Sequence, residues 1–153
     1  MDEIPKPLQV YLVEDSTIIR RLLASAIEAA GGALIGSSAN ARSAIADLAE
    51  LRPDLIVIDL NLDSGSGFDV LRALQDRNLV PWAIKVVLTN HAHAEYRNLS
   101  FRLGVDGFFD KASDTSQVLA LINALAAQKG RAGSLSRGPN YRERGSPSKD
   151  ERS

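Results

Sequence analysis

Carboxylates stand at Glu14, Asp15 and Asp59, a hydroxyl at Thr89 and an amine at Lys111, each just after a short apolar run. Three carboxylates brought together repel one another and raise each other's pKa unless a cation is present. A hard divalent ion resolves that conflict. Mg²⁺ takes oxygen ligands in octahedral geometry and usually keeps several waters, leaving positions for an oxygen of a bound group. Asp15, Asp59 and the backbone carbonyl of Asn61 are suitable protein ligands, with Glu14 acting through water.

These residues need elements that bring them to one place. Leu8-Gln9-Val10-Tyr11-Leu12-Val13 reads as a buried strand, and Ile19, Leu22, Leu23, Ala26, Ile27 and Ala30 follow with helical spacing until Gly31-Gly32. A weaker strand spans 33–36, and Ala41, Ala44, Ile45, Leu48 and Leu51 mark a second helix, ended by Arg52-Pro53. Leu55-Ile56-Val57-Ile58 is the clearest strand, with Asp59 at its carboxyl end. The Gly/Ser-rich stretch 63–67 leads to a helix through Val70, Leu71 and Leu74, and Ile84 to Leu88 form the fourth strand. A poorly patterned helix over 93–103, a short strand at Gly107-Phe108-Phe109 and a final helix burying Val118, Leu121, Ile122 and Leu125 complete the series. Asp114-Thr115-Ser116-Gln117 resembles a capping box at the start of that helix.

Five strand–helix units in about 120 residues imply an α/β fold, a parallel sheet with helices on both faces. Right-handed crossovers make it doubly wound, and the short length favours the flavodoxin-like (βα)5 strand order 2-1-3-4-5. Binding sites in such sheets lie beyond the carboxyl ends of the strands, at the switch point of strand order. Glu14, Asp15, Asp59, Thr89 and Lys111 all fall on that rim.

The chain has 153 residues, no cysteine and a formal net charge of −1. Disulfides and Cys-ligated metals are therefore excluded. No apolar run reaches the roughly 18 residues that span a bilayer. The acidic start Met1-Asp2-Glu3-Ile4-Pro5 has no signal-peptide pattern, and the cytoplasm is the expected location. Residues 129–153 hold seven Lys/Arg against three Asp/Glu, whereas the preceding 128 hold 11 against 16. An acidic domain is a poor direct binder of nucleic acid, whose phosphates are held mainly by Lys and Arg. The Gly, Ser, Pro and Arg content of 129–153 predicts a disordered basic tail after an ordered domain at 8–128.

Over residues 8–128 the sequence resembles the response-regulator receiver family, typified by stand-alone chemotaxis regulators of two-component signalling. The resemblance rests on Glu14-Asp15, Asp59-Leu60-Asn61-Leu62, Gly67 eight positions past Asp59, Thr89, and the stretch from Leu103 to Lys111. It implies that Asp59 accepts a phosphoryl group, with Mg²⁺ present, from a phosphohistidine on a sensor histidine kinase or histidine phosphotransfer protein. It further implies that Lys111 and Thr89 contact that group and that Phe108 is the aromatic switch. Output would then leave through the face of the fourth helix, fifth strand and fifth helix. Asn61, Asn90 and His91 occupy positions expected to tune dephosphorylation, and Asn90 is expected to narrow solvent access.

Each residue also has a structural reading. Asp59 alone could cap a turn, Glu14-Asp15 could start a helix, Lys111 could be a surface lysine and Phe108 a core residue. His91-Ala92-His93 invites a metal-site reading that lining of the phosphoryl site outweighs, and Trp82 reads as a packing anchor. The pattern departs from the family at Asp63 and Asn90, and at Ala112, which stands where a proline with a cis bond is common; with Ala there the expected bond is trans, or else strained. A residual haloacid-dehalogenase-type reading is opposed by Asn61, which replaces that class's second aspartate. A receiver-like binding module without phosphorylation, or a receiver cut from a larger regulator, stays open beside the stand-alone receiver. The expected partners are the phosphodonor and a downstream protein, with a monomer or a phosphorylation-dependent dimer and neither nucleic acid nor membrane.

Overall fold

The computed structural model describes residues 7–136. Strands β1 (Leu8–Val13), β2 (Gly32–Ser38), β3 (Leu55–Ile58), β4 (Ile84–Thr89) and β5 (Gly107–Asp110) alternate with helices α1 (Thr17–Ala29), α2 (Ala41–Leu48), α3 (Gly67–Asp76), α4 (Ala94–Arg102) and α5 (Thr115–Ser136). All pairings between strands are parallel, in the order β2-β1-β3-β4-β5. The expected doubly wound sheet is therefore the observed one.

Strand composition explains why helices cover both faces. Alternate residues of a strand point to opposite sides, so a strand buried on both must be apolar throughout. Leu55 and Val57 of β3 pack with Leu23 and Ile27 of α1 and with Val118 and Ile122 of α5. Ile56 and Ile58 face the other way, onto Ala44 and Leu48 of α2 and Val70 and Leu71 of α3. The four β3 side chains are almost wholly removed from water. Each contributes about 1.5–3 kcal/mol relative to an exposed position.

Local signals fix the ends of the elements near the rim. Ser16 caps α1, its hydroxyl accepting the Ile19 N–H. Ser66 and Asp69 form a reciprocal capping box at the start of α3. The box expected at α5 is not formed: the Asp114 carboxylate instead accepts the Asp110 N–H at 3.0 Å and the Gln117 side-chain amide at 3.2 Å. Closing the turn after β5 makes that use of Asp114. The Lys111–Ala112 bond is trans, as are all the described peptide bonds.

The expected boundary at residue 128 falls inside α5, which runs on to Ser136. Lys129 holds this extension to the sheet, its Nζ donating to Asp54 Oδ2 at 2.6 Å and to the Pro7 carbonyl at 3.1 Å. The first eight residues of the expected tail are thus helical, and 137–153 lie outside the described residues. No described helix is long and apolar enough to cross a membrane.

Gly67 is required by close approach rather than by an unusual φ. A Cβ there would lie 2.4 Å from the carbonyl oxygen of Asp59 and 2.8 Å from the Cα of Leu60. Gly130, in α5, has nothing within 4 Å of the same position. Gly67→Ala should therefore lower the stability to urea by about 2 kcal/mol, as overpacking against backbone does. Gly130→Ala should raise it by up to about 1 kcal/mol, the helix-propensity gain.

Candidate functional site

The site is assembled by backbone register before any side chain acts. The Asp59 N–H donates to the Val13 carbonyl at 2.9 Å, placing the acid beside the end of β1. The Lys111 N–H donates to the Thr89 carbonyl at 2.9 Å, tying the end of β5 to that of β4. β1 and β3 are neighbours although α1, β2 and α2 separate them in sequence, so their ends form the switch point.

The side chains then converge. Glu14, Asp15 and Asp59 each offer a carboxylate oxygen, and these lie within 4.8 Å of one another. Lys111 Nζ donates to Glu14 Oε1 at 2.6 Å and to Asp59 Oδ2 at 2.8 Å. The other oxygen of Asp59 accepts the Asn61 N–H at 3.2 Å. Glu14 Oε2 accepts the Ser16 N–H at 3.0 Å. Glu14 and Asp59 are buried, whereas Asp15 is half-exposed at the mouth.

Burial pushes the Glu14 carboxyl above the ordinary range, and the Lys111 ammonium and Ser16 N–H offset this only in part. Burial pulls the Lys111 amine down, but Asp59 and Glu14 outweigh it and hold the amine above the ordinary lysine range. Lys111 therefore stays charged throughout neutral pH. With all three acids ionised, the lysine neutralises one charge and leaves two. The oxygen donors and this residual charge of minus two fit a hard divalent ion such as Mg²⁺.

The remaining expected residues are placed unevenly. Thr89 is fully buried, its hydroxyl oxygen accepting the His91 N–H at 3.2 Å. Phe108 is buried at 8% exposure, with the Arg97 guanidinium 5.9 Å from its ring centre. Asn61 and Asn90 are exposed on their loops, and His91 is half-buried. Trp82 donates its indole N–H to the Pro53 carbonyl at 2.9 Å and lies under Arg52, but it is 47% exposed and packs on neither core cluster.

Arg20 was not legible as part of the site. Its Nη1 donates to the Glu14 carbonyl at 2.7 Å, fixing the loop that carries the two acids. An arginine one turn into an amphipathic helix gives no sign in sequence that it turns back to the preceding loop.

The family model for the response regulator receiver domain matches residues 10–123. The chain belongs to this family. Among relatives, the nitrate/nitrite response regulator protein NarP of Escherichia coli is 33% identical over 121 residues, 78% of this chain and 55% of that protein. A protein-glutamate methylesterase/protein-glutamine glutaminase of Nitrobacter winogradskyi is 29% identical over 118 residues, 75% of this chain and 27% of the relative. This receiver thus spans about half or less of those relatives' lengths. A two-component response regulator of the LuxR family from Aurantimonas sp. SI85-9A1 superposes with a TM-score of 0.70 at 27% identity, covering 78% of this chain and 85% of that one. A CheY-like receiver domain protein from Methanospirillum hungatei shares the fold, with a TM-score of 0.70 at 21% identity over 83% of this chain and 99% of that one.

Removing the lysine from this receiver strands two buried carboxylates. Lys111→Met should therefore lower stability at pH 7 by about 3 kcal/mol. Because the folded pKa of Lys111 is raised, its contribution in the wild type is complete at neutral pH and is lost as pH rises beyond the ordinary lysine range. For Glu14, also raised, stability falls as pH rises through the range between its unfolded and folded values. The deficit of Lys111→Met, measured by urea unfolding, should accordingly shrink as pH is lowered and the buried Glu14 carboxyl protonates.

Proposed function

We propose that Asp59 is the phosphoacceptor of this receiver, taking a phosphoryl group from a phosphohistidine on a sensor histidine kinase or a histidine phosphotransfer protein. The observation that carries this reading is the Asp59 carboxylate at the end of a buried strand, 2.8 Å from Lys111 Nζ and grouped with Glu14 and Asp15.

An Asp59 oxygen attacks phosphorus, the bond from phosphorus to the donor imidazole breaks, and its electron pair returns to that nitrogen. The product is an acyl phosphate, an intermediate that carboxylate nucleophiles form. Transfer of this kind depends on positioning and on neutralising charge. Lys111 is already placed to meet a phosphoryl oxygen, and the Asn61 N–H holds the carboxylate in orientation. Glu14, Asp15, Asp59 and the Asn61 carbonyl would hold Mg²⁺, which supplies charge neutralisation when bound. The Thr89 hydroxyl accepts from His91 and keeps a proton to donate to the phosphoryl group.

The chain's own chemistry is then limited to accepting the group and slowly losing it to water. Signalling passes to a downstream protein through α4, β5 and α5, with Phe108 moving as Thr89 is drawn inward. The exchange takes place in the cytoplasm, in keeping with the cysteine-free composition.

Incubation with acetyl phosphate and Mg²⁺, followed by intact-mass measurement, tests the assignment. The wild type should gain one phosphoryl group and Asp59→Asn none. A wild type that gains nothing would identify a receiver-like binding module instead.

A further inference from the structure

We propose that Tyr96 is a positioning residue for the phosphoryl site: its ring contacts hold the loop carrying His91, and so set how fast water reaches an acyl phosphate on Asp59. The inference rests on the phosphoacceptor reading above.

Helix α4 is attached differently from the other helices. Its one buried residue is Ser100, whose hydroxyl donates to the Tyr96 carbonyl at 2.7 Å. Residues 92–98 are all exposed, and no side chain between Thr89 and Ser100 is buried. His93 stands at the N-cap of α4 without a side-chain capping bond. The loop after β4 and the first turn of α4 therefore have no apolar anchor in the core.

Aromatic contacts stand in its place. Phe68 and Tyr96 meet edge to face with centroids 5.4 Å apart, and His93 meets Tyr96 in the same way at 5.3 Å. His91 lies 6.2 Å from His93. Edge-to-face packing is the arrangement that the ring quadrupoles favour. Phe68 is itself fixed, because it packs on the core and follows Gly67, whose N–H donates to the Leu60 carbonyl at 2.9 Å. A line of rings thus runs from the start of α3 to the loop after Thr89, with Tyr96 linking Phe68 to His93.

Loss of the phosphoryl group requires a water oxygen to attack phosphorus as the bond to the Asp59 oxygen breaks. The electron pair returns to the carboxylate, the water's proton passes to solvent, and inorganic phosphate leaves. His91 is tied by its N–H to the Thr89 hydroxyl at the end of β4, on the same rim of strand ends as Asp59. Releasing Tyr96 frees that rim while leaving Glu14, Asp59 and Lys111 in place.

The test labels the protein with acetyl phosphate and Mg²⁺, removes the donor, and follows loss of the phosphoryl group by intact mass. Tyr96→Leu should shorten the lifetime about three- to tenfold, the range expected for losing edge-to-face contacts. Tyr96→Phe, which keeps the ring, should stay within about twofold of the wild type. In a His91→Ala background, Tyr96→Leu should change the rate by less than about twofold, since both act through one loop. An unchanged or longer lifetime for Tyr96→Leu overturns the proposal, as does its full effect in the His91→Ala background. A wild type that never gains mass overturns the phosphoacceptor reading and this inference with it. Normal labelling with equal lifetimes sinks only the role of Tyr96.

Discussion

Like charges held close together at the switch point of the sheet are the constraint on which the rest of the rim depends. Sheet register alone brings Glu14 and Asp59 together, since the Asp59 N–H bonds to the carbonyl just before Glu14. Both carboxylates are buried, and burying a charge is costly unless it is paired and hydrogen-bonded. Lys111, reaching from the opposite side, provides the pairing. Arg20 and Ser16 fix the loop, and Gly67 allows the backbone of α3 to pass against Asp59. The half-exposed Asp15 completes a charge that one lysine does not balance. In a receiver, that imbalance is where a divalent ion and a phosphoryl group can act together.

The same construction explains an asymmetry in rigidity. On the acceptor side, α2 and α3 are seated on a continuous apolar cluster. Beyond β4, α4 rests on Ser100, a set of rings and the Arg97 guanidinium, which lies 5.1 Å from the ring centre of Phe101 and 5.9 Å from that of Phe108. Elements with few buried apolar contacts are those that open and shift at low cost. α4 is therefore the element that would shift most readily. The acidic site itself stays fixed by the strands.

Residues whose type and position served one purpose were legible in sequence. β3 could be bounded to the residue because its four apolar side chains serve both faces and end at an acid. Thr89 and Lys111 were legible because each closes an apolar run, and the fold rule sends all strand ends to one rim. Where tertiary contacts decide, the sequence was silent. The extension of α5 passes through Gly130, a poor helix former, and Lys129 secures it to Asp54, 75 positions away. The capping box of α3 gives little signal because Asp69 stands where Glu or Gln is usual, and the capping-box pattern at Asp114 misleads because its carboxylate serves the preceding turn. α4 was poorly patterned for a physical reason: an exposed helix held by rings has no apolar stripe to detect.

If a divalent cation completes the group of three carboxylates and one lysine, that cation should stabilise the folded protein. Thermal unfolding of the wild type and Asp15→Asn with and without about 10 mM Mg²⁺ tests it most directly, because a ligand that binds only the folded state raises its stability by mass action. Asp15 is the acid to change, since Lys111 is paired with the other two. Mg²⁺ should raise the wild-type Tm by about 3–6 °C, and Asp15→Asn should lose most of this rise. No rise in the wild type, or an equal rise in both proteins, would contradict it.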